Sequence, residues 1–170
     1  MTQIKLSAAR AYDLFLILAS TAPKEHEALK PGEPHKSAYW ADKIKGKFEE
    51  AAKDYSDLVS EVNNLLDEKR PVLLKNIAAW KETHKGEVDF DNKLEVFKAK
   101  QDADFSDMYK DISKEKGLEE AGKKEVVIEF ERDSHMEYLK QYVKKFLHEK
   151  MRVSSAYLEM MNAICGEPTE

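Results

Sequence analysis

The chain has 170 residues, 36% of them charged, and a net charge of −5. That length can bury a core without covalent help, and the single cysteine, Cys165, excludes an intrachain disulfide and makes a reducing cytosol the natural setting. The negative balance removes any general pull toward nucleic acid or anionic lipid, and no apolar run approaches the roughly 20 residues of a membrane span or has the layout of a secretion signal.

In chain order, Gln3-Ile4-Lys5-Leu6 alternates polar and apolar side chains, the period of a short strand. Ser7 can cap a helix from Ala8 to about Ser20, apolar at Ala11, Leu14, Phe15, Ile17 and Leu18. Residues 21–36 carry Pro23, Pro31, Gly32 and Pro34 and read as a proline-containing loop. The stretch from Ser37 to Lys69 then sets the architecture. Ala41, Ile44, Phe48, Ala51, Tyr55, Leu58, Val62 and Leu65 follow one another at alternating spacings of 3 and 4, the seam of a helical hairpin or coiled coil. Ala52, Val59 and Leu66 widen it on one side. Such a helix is roughly 50 Å long and serves as a spine.

Pro71 suits the first turn of a further helix through Trp80 toward Gly86. Asn92 and Glu95 have the layout of a reciprocal cap for a helix reaching Lys116, and Gly117 to Lys123 reads as a loop. Val126, Ile128 and Phe130 alternate with Val127, Glu129 and Glu131, the clearest strand signal in the chain. A lone strand leaves its backbone groups unpaired, so residues 125–131 must pair with 3–6. Ser134 and Glu137 form a second reciprocal-cap pattern, and Ser154 or Ser155 opens a last helix closed by Gly166, leaving 167–170 as a frayed tail. The expected fold is mainly α: one domain over 1–170, an antiparallel helical bundle around one long helix, with a minor two-stranded β ribbon.

Chemistry is sparse. The five histidines show no i, i+4 pair and no His-Glu-x-x-His frame. Asp102, Asp104 and Asp107 resemble the start of a calcium loop, but its glycine and glutamate positions hold Asp107 and Ser113. Glu49-Glu50 opens like the magnesium motif of all-helical nucleotide pyrophosphohydrolases, and Lys53 stands where the third carboxylate belongs. No glycine-rich phosphate loop and no Gly-x-Ser-x-Gly elbow occurs. These absences point away from an enzyme and predict neither metal nor cofactor.

Binding surfaces are the better candidates. Trp40 and Trp80 fall off the clean apolar stripes, and aromatic side chains are favoured interface anchors. Lys140, Lys144 and Lys145 form a local basic stretch, although Leu139, Tyr142, Val143 and Phe146 beside them share a core-like face, which makes nucleic acid an improbable partner. The long spine outreaches its neighbours, so a partner protein or a second copy is expected over one of its ends.

The order of elements resembles a group of small proteins encoded by tailed bacteriophages. The likeness lies in Ile4-Lys5-Leu6-Ser7 as a strand and helix entry, the Lys-rich helix from Tyr39 to Tyr55, and the strand Glu125-Val126-Val127-Ile128-Glu129-Phe130 after an acidic helix. The proline-rich 21–36 segment and the extra helix at 71–85 depart from it. The resemblance implies a non-enzymatic accessory or assembly protein acting on viral or host proteins, in the host cytoplasm or on the virion. The alternative is an inhibitor of a host enzyme or defence complex, since residues 86–133 carry 15 acids against 9 bases.

Overall fold

A computed structural model describes residues 2–22, 24–25, 37–152 and 154–166. Most of the expected 21–36 loop and all of the 167–170 tail lie outside those residues. The fold is mainly α with a two-stranded antiparallel ribbon, as the sequence requires. Where the sequence suggests one domain, the chain groups into two compact units, Met1–Ser56 with Glu120–Glu170, and Asp57–Glu119.

In the first unit, β1 (Thr2–Ser7) pairs with β2 (Glu125–Phe130) in the register Ile4 to Ile128 and Leu6 to Val126. The period of two puts Ile4, Leu6, Ile128 and Phe130 inside, each 3% exposed or less, while Glu129 and Val127 face out. Ser7 ends the strand and caps α1 (Ala8–Ser20), its Oγ accepting from the Arg10 N–H at 3.4 Å. The Arg10 guanidinium donates to Asp13 at 2.8 Å and to Glu159 at 3.1 Å, tying α1 to the last helix of the unit.

The spine is present but divided. Helix α2 (Ser37–Ala51) abuts α3 (Lys53–Asp67) at Ala52, whose N–H still donates to Phe48 O at 3.0 Å. The buried residues are Trp40, Ala41, Ile44, Phe48 and Ala52, then Val62 and Leu66. Ala41, Ile44 and Phe48 keep the expected spacing of 3 and 4, and Trp40 and Ala52 widen the buried face on its two sides. Trp40 therefore belongs to the core at 5% exposure, which corrects its reading as a partner surface. The described stripe is buried or half-buried at both ends, so the expectation of an uncovered spine end is also overturned.

A further helix, α7 (Asp133–Tyr142), continues through one π-helical turn (Val143–Leu147) and a short α turn (His148–Lys150). It begins before Ser134, with Arg132 in the cap position and no side-chain cap bond, so the expected reciprocal cap is not used. Helix α8 (Ser155–Cys165) is capped as expected, Ser154 Oγ accepting from Tyr157 N at 3.2 Å and Gly166 following with φ 83°. Tyr138, Leu139, Tyr142, Val143 and Leu147 are fully enclosed. Inside, Thr21 Oγ donates to Ile17 O at 2.8 Å, so its 2.5 Å contact with Tyr142 is one in which the phenol O–H donates. That bond satisfies a buried phenol whose ionisation burial pushes above the ordinary range.

The second unit holds the rest of α3, then α4 (Arg70–Thr83) and α5 (Phe90–Lys116), at 27 residues the longest helix described. Pro71 lies in the first turn of α4. Helix α5 starts before Asn92, preceded by Asp89 at φ 59° with no side-chain cap bond, so that reciprocal cap is not used either. Gly117, at φ 69°, ends α5. The expected loop after it is instead the six-residue helix α6 (Leu118–Lys123), anchored by Leu118 at 8% exposure.

Candidate functional site

Two of the sequence-predicted surfaces survive folding. Lys144 and Lys145 are exposed on the π-helical turn, while Lys140 on α7 is half-buried. Lys145 Nζ lies 5.4 Å from the Phe146 ring centroid, an intramolecular cation–π contact. Val143, Phe146 and Leu147 of the same turn are buried, so its aromatic component serves the core. Cys165 is half-buried, and burial pushes its thiol up, with Lys144 and Lys140 opposing. That direction disfavours the thiolate a nucleophile needs.

Trp80 forms the more developed site. It sits in the last turns of α4, and His84 one turn later stacks on it, centroids 4.1 Å apart and planes 13° apart. The His84 N–H and ring Nδ1 both approach Trp80 O, at 3.0 and 2.9 Å. With Nδ1 protonated, the ring gives a second donor to a carbonyl that already accepts the His84 backbone N–H. Gly86, at φ 84°, and Asp89 then reverse the chain. This brings α5 back alongside α4, with Phe97 stacked against the indole at 5.3 Å and Phe90 tilted at 5.7 Å. At the other end of the pair the Arg70 guanidinium lies 5.3 Å from the Phe105 ring centroid. Residue 70 beside 105, with 80 between 90 and 97, makes α4 and α5 antiparallel.

Against this stack lies an open cleft of ≈ 510 Å³ lined by Trp80, His84, Glu87, Asp89, Asn92, Lys93 and Val96. Lys93 holds Glu87 at 3.2 Å across its rim. Val88 and Val96 are 83% and 72% exposed beside it. The arrangement offers an apolar floor with a polar rim, the anatomy of a protein-contact surface. Among the described residues no three His, Cys, Asp or Glu side chains converge as metal ligands. No described helix is long and apolar enough to cross a membrane.

Sequence reasoning found Trp80 but not His84, Phe90 and Phe97. The i, i+4 spacing of Trp80 and His84 was the available signal; the other two depend on the reversal at Gly86 and Asp89. By fold and site this is a mainly α-helical protein with a β ribbon and an aromatic-floored cleft. Comparison with protein-family models, curated proteins and solved structures finds no match.

Proposed function

We propose that this chain is a non-enzymatic accessory or assembly protein that works by binding another protein, viral or host, through the Trp80 cleft. The observation that carries this reading is an indole stacked on His84 and on Phe97 beside exposed Val88 and Val96. A pre-ordered aromatic with apolar neighbours loses little entropy on binding and anchors an interface well. The layout shared with small phage proteins supports a viral setting, and the reading as a host-directed inhibitor uses the same cleft with a different partner.

The test is a photo-crosslinking amino acid placed at Val96 and, in parallel, at Lys145, in infected cells. A protein adduct at position 96 that disappears in a Trp80→Ala background supports the cleft. Adducts at 145 alone would move the contact to the basic turn. No adduct at either position, through a full infection cycle, would sink the binding role.

A further inference from the structure

Helix α4 is unusual for a helix of 14 residues rich in aliphatic side chains, because none of them is buried. Its inner row, Leu73, Ile77, Trp80 and then His84, is half-buried. Beside that row runs a second one, Leu74, Ala78 and Lys81, continued by Lys85 in the turn after the helix, all exposed. Leu74 is 67% exposed, and Lys75 borders it. Across residues 69–85 there are five bases against the single acid Glu82.

Residues 104–116 of α5 hold four acids and three lysines, and three of the acids share one exposed row. Asp104, Met108, Asp111 and Glu115 are spaced 4, 3 and 4, all exposed, with Asp107 adjoining. Among the described residues none of these acids, nor Lys75, Lys81 or Lys85, has a partner in an ion pair. One stripe is basic and apolar, the other acidic and apolar, and both have the same period.

Lys81 and Lys85 cannot reach the acidic row within one molecule. The contacts of Arg70 with Phe105 and of Trp80 with Phe90 and Phe97 fix the alignment of α4 on α5. Lys81 is therefore abreast of the first part of α5, and the acidic stripe lies roughly 15–35 Å further along that helix. A second copy brings them together, and a two-fold axis makes the contact twice, α4 of each copy on α5 of the other.

We propose that two copies of this chain associate through these stripes, Leu74, Ala78, Lys81 and Lys85 of one against Asp104, Met108, Asp111 and Glu115 of its partner. The proposal does not depend on the Trp80 cleft. Reversing charge on one stripe puts like charges at both symmetric contacts, and reversing the other stripe in a second variant restores both when the two are mixed.

Sedimentation velocity on the pure full chain at low and high salt tests this. The expected result is a dimer at low salt that dissociates as salt screens the contact. The doubly substituted Lys81→Glu, Lys85→Glu variant associates about tenfold more weakly or worse, as does Asp104→Lys, Asp111→Lys. Far-UV circular dichroism unchanged in both variants assigns the loss to the surface. An equimolar mixture of the two recovers the dimer mass. A wild-type monomer at high concentration and low salt would overturn the proposal, as would variants that stay dimeric or a mixture that stays monomeric.

Discussion

At the scale of single residues, His135 holds the least comfortable position in the core-bearing unit. It stands in the first turn of α7, edge-on to Trp40 at 6.3 Å between centroids, with Nε2 enclosed and without a hydrogen-bond partner. Burial, then Arg132 and Lys47, lower its pKa from the ordinary 6.5, and Glu131 opposes them only in part. The neutral ring tolerates the site; a proton on it brings a donor with no acceptor beside like charges. The sign follows from linkage. Below pH 6.5 the unfolded chain takes up a proton that the folded chain refuses, so this contribution to stability is whole above 6.5 and is lost as the pH falls toward the depressed folded value. Urea unfolding of wild type and His135→Phe at pH 7.5 and 5.5 checks it. The variant should lose less stability than wild type across that interval; an equal loss in both would show that the proton does not report on this site. Tyr142 gives the contrast, a buried polar group that Thr21 satisfies.

At the scale of elements, the ribbon was legible because a period of two depends only on adjacent side chains. Ile4, Leu6, Ile128 and Phe130 lie inside where the alternation puts them. Ile128→Asp should accordingly cost on the order of 3 kcal/mol or more, since it leaves an unpaired carboxylate in the core. Glu129→Ala removes only the exposed hydrogen bond from Gln3 and should be far milder. Thermal melts of the two variants decide it, and the reverse ranking would mean that the register is shifted by one residue. The helix starts were less legible. Asn92 and Ser134 carry cap-forming side chains, yet α5 and α7 begin before them, because the preceding turn and the packing of the first turn fix where a chain enters a helix. Trp40 was misplaced for a different reason: a two-per-seven seam is narrower than the face the core covers, and Trp40, one turn before Ile44, lies inside that face. The candidate site was half legible, its tryptophan visible as an off-stripe aromatic and its stacking partners on α5 hidden by the turn between them.

At the scale of the whole molecule, the grouping into two units was hard to read from the sequence, because both crossings fall inside helices, between Ser56 and Asp57 in α3 and between Glu119 and Glu120 in α6. What differs between the units is burial. The first encloses two tyrosines, Phe48, Phe130, Leu14 and Ile128 almost completely. In the second, the buried apolar side chains among the described residues are Val62, Leu66, Leu94 and Leu118, and α4 has none. At about 25 cal/mol per Å² of apolar surface removed from water, a helix that stays half-exposed on its best face gains little to set against the entropy of ordering its backbone. Local opening should therefore be easiest there. Hydrogen exchange at a dilution that keeps the chain monomeric would read this directly. Amides of α4 should exchange fastest among the longer helices, and those of β2 and α7 slowest, near the global unfolding limit. Protection of α4 equal to that of α7 in the monomer would mean that the second unit is held by more than its own packing.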